Sequence, residues 1–289
     1  MWPLTRAGPA VTLKPVNTDW FVRVALTRGK GRQAVDVVDR VAVVTGAGSG
    51  LGRATALALT KAGARVAVLD RNAEAARSVV EEAGATTIAV TVDVADRASV
   101  TAAIAEVFDT FGRVDVCVNA AGIPNPGKVF GRSGPLDIEQ FQRVIDVNLV
   151  GAFDVMRQCA GLMTRNDPVL DGERGVIINV SSGAAFEGQK GQAAYSASKA
   201  GLIGLMLPAA RDLAHYGIRV VTIAPGLFDT GIFAGIDPRA VQALSGAVLN
   251  PSRLGEPGEF ASLVMHIIEN RYLNATTLSI DAGARLPNV

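Results

Sequence analysis

From Arg40 onward, short runs of consecutive apolar residues alternate with longer, Ala-rich stretches. The short runs fall at residues 41–45, 65–70, 87–92, 114–118, 176–180, 218–224 and 276–280. Their apolar positions are continuous rather than alternating, which is the pattern of strands covered on both faces. Helical stretches lie between them, at residues 50–62, 73–83, 96–111, 137–163, 193–216 and 256–270. Gly84 and Gly112 stand where two of these helices should end, and Asp96 where one should start. Residues 122–135 and 164–175 read as loops. Strand and helix alternate throughout, so the pattern predicts one α/β domain over residues 39–289. Its seven strands form a doubly wound parallel sheet with right-handed crossovers and helices on both faces.

Composition narrows the function classes. The chain of 289 residues is 49% hydrophobic but only 5% aromatic, so its core is built from small side chains that allow close helix–strand packing. The formal net charge is +1 and no basic or acidic run occurs, which argues against a nucleic acid or an anionic membrane as partner. No stretch approaches the ~20 apolar residues of a membrane span. Cys117 and Cys159 both sit in apolar surroundings and read as buried thiols, and a cytoplasmic, reducing location follows. His215 and His266 have no partner at metal-ligand spacing, so no metal site is expected. Residues 1–38 differ from the rest. Arg6, Lys14, Arg23, Arg28, Lys30 and Arg32 face only Asp19 before Asp36, as in an organellar transit peptide, but serine is absent. They read as a poorly ordered extension.

Gly46, Gly48, Gly50 and Gly52 follow the first strand and open the first helix. Glycines there let the backbone turn sharply and approach a pyrophosphate, whose charge faces the free N–H groups of the helix start. Arg53 follows Gly52, whereas a nucleoside triphosphate loop needs Gly-Lys-Ser/Thr. The sheet is therefore of the Rossmann type and the ligand a dinucleotide. Asp70 ends the second strand, 18 residues after Gly52. Its carboxylate suits the adenosine ribose hydroxyls and repels a 2′-phosphate, which selects NAD over NADP; Arg71 argues the other way. Asp93 and Asn119 are further polar residues at carboxyl ends of strands, the edge along which such sheets bind ligands.

Tyr195 and Lys199 are four residues apart near the start of a helix and project from one face. An ammonium beside a phenol favours the phenolate and lowers its pKa from ~10, which suits the phenol to proton transfer near neutral pH. Ser182 lies 13 residues before Tyr195, just past the fifth strand, where its hydroxyl can hold a substrate oxygen. Asn148, in the middle of a helix, reads by itself as a solvent-facing amide.

Taken together, Thr45-Gly46-x-x-x-Gly50-x-Gly52, Asn119-Ala120-Ala121-Gly122, Asn148, Ser182, Tyr195-x-x-x-Lys199 and Pro225-Gly226 resemble the short-chain dehydrogenase/reductase family. Ala120 departs from the asparagine that the family more often has there. The resemblance implies that Tyr195 is the general acid/base and that Lys199 binds the nicotinamide ribose and lowers the Tyr195 pKa. It implies that Ser182 positions the carbonyl oxygen and that Asn148 supports a water relay to Lys199. Gly46, Ser49, Gly50, Leu51, Gly52, Asp70, Ala121 and Gly122 would hold the dinucleotide. Asp93, Val94 and Asn119 would line its adenine side, and Pro225, Gly226, Leu227, Phe228 and Thr230 its nicotinamide end. Segments 175–179, 185–189, 191–199, 222–228 and 251–255 are similar to one subgroup of the family, which oxidises 3-hydroxyacyl-CoA esters to 3-oxoacyl-CoA with NAD. A homotetramer acting on a small-molecule acyl-CoA is the implied assembly and substrate. A hydroxysteroid or general secondary-alcohol dehydrogenase, a 3-oxoacyl carrier-protein reductase and a nucleotide sensor without catalysis remain open alternatives.

Overall fold

The computed structural model describes residues 37–132, 134–230, 246 and 248–285. Most of the expected extension, residues 1–36, lies outside the described residues. Seven parallel strands form the main sheet: β1 (Val41–Thr45), β2 (Arg65–Asp70), β3 (Thr87–Thr91), β4 (Val116–Asn119), β7 (Gly175–Val180), β8 (Ile218–Pro225) and β9 (Thr276–Ile280). Their order across the sheet is β3-β2-β1-β4-β7-β8-β9. The helices are α1 (Gly50–Lys61), α2 (Ala73–Ala83), α3 (Arg97–Phe111), α4 (Ile138–Ile145), α5 (Ala152–Met163), α6 (Ala193–Ala214) and α7 (Pro257–Glu269). This is the doubly wound arrangement that the pattern predicts.

Alternate residues of each strand feed two separate cores. Ala42, Val44, Val66 and Val68 pack with Ala56 and Leu59 of α1 and with Phe260 and Val264 of α7. Val41, Val43, Ala67 and Leu69 pack with Ile104 of α3, Cys159 and Met163 of α5 and Met206 of α6. Burial on both faces explains why the strands read as continuous apolar runs. Both cysteines are free and buried. The adjacent Cys159 thiol and burial hold the Cys117 pKa well above its ordinary value, so Cys117 is not a reactive thiolate.

The structure redraws three expected segments. The helix expected over residues 137–163 is α4 and α5 joined by one π-helical turn, Asp146–Gly151, which contains Asn148. The loop at 122–135 holds a small hairpin, β5 (Phe130–Gly131) with β6 (Gly134–Pro135). The fourth strand is shifted towards its carboxyl end and finishes on Asn119. Pro208 is accommodated on the exposed side of α6, which continues through it. Among the described residues no helix is long and apolar enough to cross a membrane.

The strand order reverses between β1 and β4, which opens a crevice at their carboxyl ends. Four buried polar residues stand side by side just inside that edge, because Thr45 pairs with Asn119, Asn119 with Asn179, and Asn179 with Thr222. The Thr45 hydroxyl accepts the N–H groups of Ala120 and Ala121, both at 3.1 Å. The row thus fixes the start of the loop after β4, which forms one wall of the crevice.

Candidate active site

A cleft of about 920 Å³ runs along this edge. Its floor at one end is the glycine loop. Gly46 and Gly50 have φ of 63° and 53°, which a side chain would strain. A Cβ on Gly46 would stand 2.8 Å from the Ala121 backbone, so the loop must be bare. No side chain caps the start of α1 at Ser49, and the first N–H groups of that helix remain available to an anion. The Asp70 carboxylate accepts from Gly48 N–H through Oδ2 and from Asn72 N–H through Oδ1, both at 2.9 Å. These bonds aim it into the cleft while leaving it lone pairs for a ribose. The cradle, the uncapped helix and the oriented carboxylate fit an adenosine dinucleotide. Asp93 and Val94 line the same end. Burial works against the Asp93 carboxylate, but the Ala95 N–H and Arg143, 3.3 Å away, outweigh it and hold its pKa below the ordinary value.

The chemical end is built by β7 and α6. Ser182 follows β7 directly, and its hydroxyl bonds to the Tyr195 phenol. Ser181 is turned the other way: it is buried and donates to the Lys199 carbonyl at 2.8 Å, pinning α6 to the strand. Lys199 is 4% exposed, and its Nζ donates to the Val180 carbonyl at 2.8 Å and lies 5.7 Å from the centre of the Tyr195 ring.

The electrostatics differ from the expectation that Lys199 lowers the Tyr195 pKa. Burial raises that pKa above its ordinary value and outweighs the lowering by Ser182. Burial also lowers the Lys199 pKa to about 8, because no carboxylate compensates for lost solvent. The cost of removing charge from water exceeds the attraction between the two groups.

One expected ligand contact, Asn119, and the solvent-facing reading of Asn148 are corrected. Asn119 does not line the cleft; it is buried and its Nδ2 donates to Asn179 Oδ1 at 2.9 Å and to the Ala152 carbonyl at 3.2 Å. Asn148 is fully buried rather than solvent-facing and does not line the cleft either. Its Oδ1 accepts Ile123 N–H at 2.8 Å, while Nδ2 donates to the Ile123 carbonyl and to Ser198 Oγ. Ser198 Oγ donates in turn to the Tyr195 carbonyl at 2.7 Å. The amide joins the loop after β4 to α6, and a Cβ on Gly122 would stand 3.3 Å from both Asn148 Oδ1 and Lys199 Nζ. Every other residue expected at the site lines the cleft, from Gly46, Ser49, Gly50, Leu51 and Gly52 through Ala121 and Gly122 to Pro225, Gly226, Leu227, Phe228 and Thr230.

Comparison with known proteins agrees with this geometry. The sequence pattern of the short chain dehydrogenases matches residues 40–240. The chain belongs to the short-chain dehydrogenase family. It is 47% identical to 3-hydroxyacyl-CoA dehydrogenase type-2 of Drosophila melanogaster, over 86% of this chain and 99% of that one. It is also 47% identical to the Homo sapiens protein of the same name, over 85% and 95% of the two chains. A solved 3-hydroxyacyl-CoA dehydrogenase type-2 from Mycobacterium avium superposes with a TM-score of 0.82 at 35% identity, covering 87% of this chain and 97% of that one. This dehydrogenase is thus an oxidoreductase that works with a nicotinamide cofactor.

Sequence reasoning missed four charged residues of the cleft: Arg143, Glu187, Asp281 and Arg285. Asp281 directly follows β9 at the carboxyl edge, so the strand-edge rule that singled out Asp93 would have found it. The others come from a helix and two loops, with no pattern to mark them.

The buried Lys199 makes stability depend on pH. Between about pH 8 and 10.5 the unfolded chain keeps the proton that the folded chain has released. Unfolding then takes up a proton, so the contribution of this group to stability rises with pH across that window. Lys199→Met is expected to raise the melting temperature most below pH 8, with the gain shrinking towards pH 10. Melting curves of both proteins from pH 7 to 10 check this, and a constant offset contradicts it.

Proposed function

We propose that the enzyme interconverts 3-hydroxyacyl-CoA and 3-oxoacyl-CoA with NAD. The observation that carries the substrate is the match, over nearly the full length of both partners, to two proteins named 3-hydroxyacyl-CoA dehydrogenase type-2. The choice of NAD is supported by Asp70, whose carboxylate stands beside the glycine loop, where a 2′-phosphate would be repelled. The same proposal takes the enzyme as a cytoplasmic homotetramer, on family likeness and two buried, unbridged thiols; a monomeric mass in solution would count against the assembly.

The residues divide the work as follows. Ser182 and Tyr195 hold the substrate oxygen between their hydroxyls. In oxidation the Tyr195 oxygen takes the proton of the alcohol as the carbon–oxygen double bond forms; in reduction it returns that proton to the developing alkoxide. The bound dinucleotide supplies the hydride acceptor or donor. Lys199, which lines the cleft beside the phenol, holds the nicotinamide ribose. Asn148 and Ser181 act on position only, through Ser198 and Lys199. Phe228, packed edge-on against Phe260 at 6.2 Å, anchors the loop that starts at Pro225.

Turnover of acetoacetyl-CoA with NADH and with NADPH tests the reading. Turnover with a clear preference for NADH is expected. No turnover, with good reduction of a steroid or simple ketone, would replace the acyl-CoA substrate; a preference for NADPH would remove the role given to Asp70.

A further inference from the structure

Beyond Ser182 and Tyr195 the cleft reaches two segments that the reaction above does not use. One is the loop after β7, with Phe186 and Glu187; the other is the turn after β9, Asp281 to Arg285. Among the described residues, four cationic side chains line the cleft: Arg71, Arg143, Lys199 and Arg285. Arg71 adjoins Asp70 and Arg143 pairs with Asp93, so both belong to the adenosine end. Lys199 is buried beneath Tyr195. Arg285 is left, on the side of the cleft that carries Ser182.

Its two ion pairs are loose. Arg285 Nε lies 3.2 Å from Glu187 Oε1 and Nη1 lies 3.2 Å from Asp281 Oδ2. The Arg285 side chain is 63% exposed and that of Glu187 51%, a setting in which solvent screens the attraction and the partners exchange readily. The backbone beneath is fixed, by contrast. Asp281 Oδ1 accepts Gly283 N–H at 2.9 Å, and the Asp281 carbonyl accepts Ala284 N–H at 2.9 Å. Gly226 N–H donates to the Ile280 carbonyl, and a Cβ on Gly226 would stand 2.7 Å from Asp281 Cβ. The turn is therefore locked against the loop at Pro225–Leu227. Arg285 Nη1 donates to the Ala284 carbonyl at 2.6 Å and to Asp281 Oδ2, so the rigid turn presents the Nε–Nη2 edge of the guanidinium, paired with the exposed Glu187, to the substrate side of the cleft.

We propose that Arg285 is a specificity-determining residue that receives an anionic oxygen group of the substrate, and that Glu187 is the resting counter-ion displaced by that group. The Nε–Nη2 edge of the guanidinium matches a phosphate or a carboxylate through two parallel hydrogen bonds, whereas Glu187 is met through Nε alone. The anion is either a phosphate of the CoA carrier or the carboxylate of a free 3-oxo acid. The inference rests on the acyl substrate proposed above and adds how its charge is read.

Steady-state kinetics of the full-length enzyme separate the possibilities, with acetoacetyl-CoA, acetoacetate and the uncharged thioester acetoacetyl-N-acetylcysteamine. Arg285→Gln is expected to raise the KM for one charged substrate about tenfold relative to the uncharged thioester. Arg285→Lys should recover part of this, and Glu187→Gln should shift the ratio the opposite way. A rise confined to acetoacetyl-CoA assigns the phosphate, and one confined to acetoacetate the carboxylate. An unchanged ratio, or an equal loss on all three substrates, overturns the proposal by making Arg285 neutral or merely structural. Failure of the unaltered enzyme on acetoacetyl-CoA and acetoacetate alike would instead remove the acyl reading beneath it.

Discussion

Replacing Tyr195 by Phe is expected to lower kcat roughly 10²–10⁴-fold while leaving the KM for both substrates nearly unchanged. The variant removes one oxygen from a half-buried ring and keeps the contact of that ring with Lys199. Dinucleotide binding, which rests on the glycine loop and Asp70, is untouched. The pH profile separates this loss from a structural one. In the free enzyme burial keeps the phenol protonated at neutral pH, so it is ready to donate a proton in ketone reduction. Alcohol oxidation needs the phenolate, and its rate should rise with pH above neutrality in the unaltered enzyme. The residual activity of Tyr195→Phe should lack that rise. Rates of oxidation and reduction from pH 6 to 10 provide the measurement. A variant that keeps more than about a tenth of the activity would assign proton transfer to another group.

How much of this was legible before the structure depends on what each residue must satisfy locally. The glycine loop could be read because a close backbone approach and positive φ exclude side chains, as the clash of a Cβ on Gly46 with Ala121 shows. Tyr195 and Lys199 could be read because four residues on one helix fix their relative direction. The central strands could be read because both faces of each are covered, whereas the edge strands β3 and β9 are only partly buried. The ligand contact expected of Asn119 and the exposure expected of Asn148 fail for a shared reason. A polar residue near a strand end or in a helix can face a ligand or satisfy a buried partner, and sequence does not distinguish the two. The π-helical turn at Asp146–Gly151 adds to this, because it shifts the face on which Asn148 falls. The electrostatic error at Tyr195 had another source: spacing gives proximity but not burial, and here burial outweighs proximity. Glu187 and Arg285 meet only through loop packing, at a sequence separation that no local pattern encodes. One signal was available and unused. Arg219 interrupts the apolar run of β8, and a charge in a strand buried on both faces requires a partner.

That partner set makes Arg219→Met the substitution with the largest expected effect on stability, about 3–5 kcal/mol. Arg219 is 6% exposed. Its Nε donates to Glu173 Oε2 at 2.6 Å, and its two terminal nitrogens reach the carbonyls of Ile267, Ile268, Asn270 and Leu273. These carbonyls lie at and just beyond the end of α7, where a helix leaves its last acceptors without intrahelical donors. The guanidinium therefore supplies the missing donors, places a cation at the negative end of the helix dipole, and neutralises the buried Glu173. Methionine fills a similar volume but takes the arginine donors from the carboxylate and from the carbonyls of Ile267, Ile268 and Leu273. Arg219→Lys keeps the charge without the fork and should lose less. Pairing Arg219→Met with Glu173→Gln should recover part of the loss, because the stranded charge is gone. Urea denaturation of the three variants measures these differences, and a loss below about 1 kcal/mol for Arg219→Met would show that water reaches the site and replaces the arginine. Arg219 lies near the amino end of β8 and the cleft at its carboxyl end, so the folded variant should keep its kcat at low temperature. Loss of stability without loss of kcat would separate the residues that hold α7 to the sheet from those that carry the reaction.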